Sequence, residues 1–311
     1  MSLFHSEFNK RELISLRMIL NSNSGLNKVI NAGLSLDEIK SLNRESLKGL
    51  RFRKYEEILD KLQNYELYES KAINTIDWCE ENSISILSIF DENYPKKLSM
   101  LKNPPCLLFC SGNVSLLNME KSIGIVGSRN ISDYGKIITE KATSYFAKNG
   151  ANIVSGLAKG VDTHAHQSAL NNNAPTTAVL VDIKTISPAS NINLAKEIVQ
   201  NGGLVLSENI PGTQASDAYL FIDRNRIQAG LSKLVVIIEA GSESGTQSTA
   251  KHAIEQKKPI YCSDLNKIPN YPEVKFKDSL NKKLFDQGEA KLFTEETYTE
   301  MSKILDYDSE I

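Results

Sequence analysis

From Lys121 onward the sequence alternates short, almost wholly apolar runs with longer stretches of helical periodicity. That alternation limits the fold more than any other feature. The apolar runs are Ile123 to Val126, Asn152 to Val154, Thr176 to Val181, Leu204 to Ser207, Leu234 to Glu239 and Pro259 to Cys262. The helical stretches between them are Asp133 to Lys148, Asp162 to Leu170, Leu194 to Gln200, Tyr219 to Gly230 and Thr246 to Gln256. A run apolar at every position is a strand buried on both faces, and a short loop cannot return a parallel strand without a crossover helix. The pattern predicts an α/β fold with a doubly wound, Rossmann-like parallel sheet. Further helices are expected near Leu280 to Gln287 and Thr294 to Leu305.

The first 65 residues differ in kind. Leu13, Leu16 and Leu20, then Leu36, Ile39 and Leu42, recur at helical spacing, and Ser35-Leu-Asp-Glu38 is a capping-box pattern. A small all-α domain is expected over 1–65. Residues 66–115 read as a linker and lead-in, with a helix near Ile73 to Asn82 and a strand near Ser83 to Phe90. The Rossmann domain then runs over 116–311. The longest apolar runs fall far short of the ~20 residues a membrane-spanning helix needs. The amino terminus carries an acid and no apolar segment, so the expectation is a cytoplasmic protein with no membrane partner. Four cysteines at 79, 106, 110 and 262 are too scattered for a disulfide framework, and the Cys106/Cys110 pair lacks the second pair a zinc site requires. No metal is expected. A net charge of −2 gives no global attraction to nucleic acid, so any such binding has to come from a local cluster.

In an open parallel sheet, ligands sit beyond the carboxyl ends of the strands. Three segments fall there: Gly124-Ile-Val-Gly-Ser-Arg-Asn130, Ser155-Gly-Leu-Ala-Lys-Gly-Val-Asp162 and the stretch from Glu239 to Ala250. The first lacks G-x-G-x-x-G spacing, and the second strand ends in Ser155-Gly156 where a dinucleotide site needs an acid. No phosphate loop of the G-x-x-x-x-G-K-[ST] type occurs. No cofactor is therefore expected. Small residues, free amides at helix starts and a few cations suit an anion, and phosphate is the natural one. Arginine usage agrees. Five of the eight arginines lie in the first 53 residues, and the other three are Arg129, Arg224 and Arg226. Guanidinium forks suit phosphate; equally, they suit a structural ion pair with Glu208 or Asp162. His164 and His166 lie two apart and cannot form an i, i+4 metal pair, Asp162 stands where a helix N-cap belongs, and Glu239 is a structural acceptor for its loop.

Read together, Asp91-Glu-Asn-Tyr-Pro95, Pro104-Pro105, Gly124-Ile-Val-Gly-Ser-Arg129, Ser155-Gly-Leu-Ala-Lys-Gly-Val-Asp-Thr-His-Ala-His166, Leu206-Ser-Glu208, Arg224-Asn-Arg-Ile227 and Ser244-Gly-Thr246 with Thr249-Ala250 resemble the DprA/Smf family of DNA-processing proteins. The resemblance implies a helical SAM-like domain followed by an extended Rossmann domain. It implies a homodimer that binds single-stranded DNA and loads a RecA-type recombinase during natural transformation, with no catalysis. It also implies a phosphate-binding site made of Gly127, Ser128, Arg129, Ser155, Gly156, Lys159, Arg224, Asn225, Arg226, Ser244, Gly245 and Thr246. Apolar helix positions Ile138, Ala142, Tyr145 and Ala253 are candidates for the dimer face. The sequence departs from the family in the Asp182 to Pro188 loop and in the segment from Cys262 to Pro272. It stops at Ile311, so the winged-helix module of many relatives is not expected. The alternative is a nucleoside-monophosphate phosphoribohydrolase of the same superfold. Those enzymes carry a glutamate in a Gly-Gly-x-Gly-Thr-x-x-Glu motif where this chain has Thr249.

Overall fold

A computed structural model describes residues 8–213, 218–268, 275 and 277–306. The chain divides into two compact units. The first takes the described residues up to Cys110 together with Glu208–Thr213, and the second takes Ser111–Ser207 and the described residues from Ala218.

In the first unit six helices follow one another: α1 (Lys10–Ile19), α2 (Asn23–Asn31), α3 (Leu36–Lys40), α4 (Arg44–Gly49), α5 (Tyr55–Gln63) and α6 (Tyr65–Glu81). The expected capping box at Ser35 and Glu38 opens α3, and a second one, Asn9 with Glu12, opens α1. Leu13, Ile14, Leu16 and Ile19 of α1 are fully buried, and α1 packs on α6. The unit does not end at residue 65. Helix α6 starts eight residues ahead of the expected Ile73 because it is held by α1, and β1 (Ile84–Ser88), the short α7 (Lys96–Ser99) and most of β2 (Leu107–Gly112) belong to the same unit. The proline-rich turns are bonded into it. Tyr94 donates its hydroxyl to the Pro105 carbonyl at 2.5 Å, and the Asn23 and Asn27 amides donate to the Pro104 carbonyl at 2.7 and 2.8 Å.

The second unit is the α/β layer structure expected. Its strands are β3 (Ser122–Val126), β4 (Asn152–Ser155), β5 (Thr176–Val179), β6 (Leu204–Ser207), β7 (Leu234–Ile237), β8 (Ile260–Ser263) and β9 (Lys291–Phe293). They lie in the order β6-β5-β4-β3-β7-β8-β9, every pair parallel. The crossover helices are α8 (Asp133–Lys148), α9 (Val161–Asn171), α10 (Ile192–Gln200), α11 (Ala218–Leu231) and α12 (Thr246–Glu255), followed by α13 (Leu280–Asp286) and α14 (Tyr298–Asp306). Alternate residues of β3, β7 and β8 feed two cores. Ile123, Ile125, Leu234 and Val236 pack with Phe146, Val161 and Met301, while Val126, Val235 and Ile237 pack with Ala250, Ala253 and Leu280.

These two cores take up part of the candidate dimer face. Ala142 and Ala253 are fully buried within the second unit, and Ile138 and Tyr145 pack against its core, the Tyr145 ring lying 4.9 Å from that of Tyr298 in α14. Ala142 and Ala253 are thus used up inside the unit, while Ile138 and Tyr145 stay partly exposed. The order of strands reverses on either side of β3, which has β4 on one side and β7 on the other. A sheet that winds in both directions from one strand leaves a crevice beyond that strand's carboxyl end, because the two connections leave on opposite faces.

Candidate functional site

Three loops meet at that crevice. The Ser128 amide donates to the Glu239 carbonyl at 2.6 Å, tying the turn after β3 to the turn after β7. The Val161 amide donates to the Ser128 carbonyl at 3.1 Å, tying the same turn to the start of α9. Thr246, opening α12, donates its hydroxyl to the Gly127 carbonyl at 3.1 Å. At Gly160, with φ of 75°, a Cβ would stand 2.2 Å from the Ser128 carbonyl oxygen and 2.7 Å from that of Arg129. Only glycine lets the two loops approach so closely. Arg129 and Lys159 are thereby carried on touching loops, and both are exposed.

The remaining expected cations are buried. Arg224 enters from α11 and donates to the carbonyls of Gly156 and Val179, at the ends of β4 and β5, with its Nε on Asn225 Oδ1 at 3.1 Å. Burial lowers its pKa to about 10, with the Asp162 carboxylate opposing that fall and the Arg129 charge adding to it. Asp162 is also buried; burial pushes its carboxyl up, while Arg224 and the amides of Ala158 and Gly156 pull it back. Those amides donate to Asp162 Oδ2 at 3.3 and 3.0 Å, so Asp162 braces the preceding loop, and the N-cap of α9 is Gly160. Gly156 leaves no room: a Cβ there would meet Gln228 Nε2 at 2.3 Å and Arg224 at 2.7 Å. Arg226 is likewise buried, with Nε 3.6 Å from Asp223 Oδ1 and Nη1 donating to the Asp223 carbonyl at 3.2 Å.

The four cations expected in the phosphate site thus resolve into two exposed ones, Arg129 and Lys159, and two interior arginines. Ser155 is buried and donates its hydroxyl to the Ile125 carbonyl at 2.7 Å. Ser128 turns its hydroxyl to the Asn130 carbonyl at 3.0 Å. Asn225 donates to Ser248 Oγ at 2.7 Å and joins α11 to α12. Gly245 is exposed beside them, and the Ser244 hydroxyl is buried with no hydrogen-bond partner among the described residues. Glu239 is structural as expected, accepting from the Ser132 amide at 3.0 Å and the Ser132 hydroxyl at 2.8 Å.

Two contributors escaped the sequence reading. The Phe221 ring lies 5.8 Å from the Arg129 guanidinium and 6.0 Å from that of Arg224. Its place one turn before Arg224 on the same helix was the available signal. Asn191, just beyond the altered Asp182 to Pro188 loop, donates to the Leu157 carbonyl and to Thr163 Oγ1, both at 2.8 Å, and fixes the loop that carries Lys159.

With this geometry in place, comparison with known proteins is decisive. Residues 85–303 match the family described as DNA recombination-mediator protein A. The chain belongs to that family. It is 41% identical over 176 residues to DNA processing protein DprA of Streptococcus pneumoniae, covering 56% of this chain and 61% of that protein. To DprA of Bacillus subtilis it is 34% identical over 183 residues, covering 58% and 61%. The matched region thus spans about three-fifths of the length of these relatives. Among solved structures, the X-ray structure of S. pneumoniae DprA has a TM-score of 0.76 at 29% identity, covering 94% of this chain and 98% of that one. Helicobacter pylori DprA, described for its unique single-stranded DNA binding mode, has a TM-score of 0.61 at 32% identity, covering 72% and 97%. No described helix is long and apolar enough to cross a membrane.

Two stability outcomes follow. Arg224→Met leaves the Gly156 and Val179 carbonyls and the Asp162 carboxyl without their cation and should cost about 3–5 kcal/mol, whereas Arg129→Ala, on the surface, should change stability by less than about 0.5 kcal/mol. Urea unfolding of both variants measures the contrast. The second concerns His166, whose Nδ1 lies 2.7 Å from Thr176 Oγ1 and whose pKa burial lowers to about 3. The unfolded chain, with an ordinary imidazole near 6.5, takes up this proton first as pH falls. Stability is therefore complete above that value and declines below it, by roughly 1.4 kcal/mol per pH unit from this one group. His166→Asn should flatten the decline between pH 6.5 and 4 in melting curves.

Proposed function

We propose that the second unit binds single-stranded DNA through its phosphates at the crevice beyond β3, β4 and β7. One observation carries the reading: two exposed cations, Arg129 and Lys159, ride on touching glycine-containing loops at the point where the sheet reverses direction, above a buried Arg224 that fixes those loops. The crevice presents cations and the start of α12, donors that suit an anion. A mildly acidic chain can hold a polyanion when its cations stand together at one rim. Binding through phosphates positions a strand and leaves base sequence unread.

The role extends to that of a recombination mediator: the chain delivers bound single strands to a RecA-type recombinase in the cytoplasm during natural transformation, as a homodimer and without a catalytic step of its own. Family membership and the single-strand-binding H. pylori relative support this reading. Against a nucleotide-hydrolase role, Thr249 stands buried where those enzymes hold a glutamate, Ser155 spends its hydroxyl on a strand carbonyl, and the His166 ring is enclosed.

Alanine at Arg129 or Lys159 removes one cation without disturbing the fold. For a single strand each lost phosphate contact flattens the slope of log affinity against log salt by ~0.7, which amounts to about a fivefold loss at 0.1 M salt. Fluorescence anisotropy with an oligo-dT strand reads both quantities. Unchanged affinity and slope at both positions would refute the assignment, and AMP hydrolysis by the unmodified chain would favour the enzyme instead.

A further inference from the structure

The first unit holds a separate concentration of positive charge. Between Arg44 and Tyr55 stand five cations, Arg44, Lys48, Arg51, Arg53 and Lys54, and one acid, Glu45. The fold brings Lys28 of α2 onto them. Lys28 Nζ donates to the Arg51 carbonyl at 2.7 Å and lies 4.6 Å from the centre of the Phe52 ring, while the Arg51 amide donates to the Lys48 carbonyl at 2.9 Å. Two of the five are paired with carboxylates: Arg44 with Glu56, and Lys54 with Glu57, which also takes Lys61. Lys28, Lys48, Arg51 and Arg53 make no ion pair with any described carboxylate, and Arg51 and Arg53 are exposed.

Two further features mark this crowding. The Lys28 ammonium is held below the usual lysine range by partial burial and by the charges of Arg51 and Arg53. Arg51 also has φ of 59°, in the left-handed region where glycine or asparagine serves a turn at less cost. Its side chain is carried there against the backbone's preference. Aromatic rings alternate with the cations: the half-buried Tyr55 ring has the Lys48 ammonium at 5.2 Å and the Arg44 guanidinium at 5.7 Å.

We propose that the face formed by Lys28, Lys48, Arg51, Arg53 and Tyr55 is a second docking surface for the phosphodiester backbone of single-stranded DNA, separate from the crevice of the second unit. It rests on the reading that the chain binds such strands. Cations alternating with a ring fit a ligand that offers a phosphate and a stackable base at every nucleotide. An acidic peptide would use the charges alone.

The test uses the full chain and an oligo-dT strand of about 30 nucleotides. Arg51→Gln combined with Arg53→Gln should weaken binding by about fivefold per lost contact at 0.1 M salt and flatten the salt slope by ~0.7 per contact. The melting temperature should hold, and lysine at both positions should restore the slope. Iododeoxyuridine crosslinking to the unmodified chain, which needs no variant, should mark the peptide containing Tyr55. If the glutamine pair leaves affinity and slope unchanged, or crosslinks fall only in the second unit, while Arg129→Ala still weakens binding, the second surface is refuted and the crevice stands. If neither set changes affinity, both readings fall. Oligoglutamate displacing the strand from this face at equal charge concentration would also overturn it in favour of a protein partner.

Discussion

The second unit is organised around one buried guanidinium. A charged group inside a protein has to be paired and hydrogen-bonded, because the alternative costs several kcal/mol. Arg224 meets that requirement with the carbonyls of Gly156 and Val179 and the nearby Asp162 carboxylate, which in turn holds the amides of Gly156 and Ala158. The ends of two neighbouring strands and the first turn of α9 are thereby locked to α11. Gly156 must be glycine for this to fit, and Gly160 must be glycine for the next loop to close on Ser128 and Arg129. The exposed cations stand on a rim that an interior cation holds rigid.

Such an arrangement divides labour between residues of one chemical type. Arg129 and Lys159 face solvent and are free to trade water for phosphate. Arg224 and Arg226 have already traded theirs for carbonyl oxygens. Phe221 lies between the two classes, in reach of both the Arg129 and the Arg224 guanidinium. It offers an apolar plate at the mouth of the crevice.

Much of this was legible in the residues alone. Strands β3 to β8 read as continuous apolar runs because both faces of the sheet are covered, and the glycine-rich turns after β3 and β4 marked the crevice. The strand β2 went unread because its run Leu107 to Cys110 follows Pro104-Pro105 directly, and β9 because three residues carry no period. The first half of α6 has a mixed polar surface with Leu67 exposed, and only its packing on α1 makes it a helix. The burial of Arg224 was beyond local pattern altogether. Whether a guanidinium points to solvent or to strand-end carbonyls depends on where α11 crosses the sheet, which no spacing encodes.

On the proposed function, a single strand settles on the loops this buried cation holds. Native-state hydrogen exchange with and without an oligo-dT strand tests it most directly. Bound strand should slow exchange at amides of 127–130 and 156–160 and at the start of α12, with the interiors of β3 to β8 unaltered. Saturating strand that leaves all three of those segments at their unbound rates would contradict it.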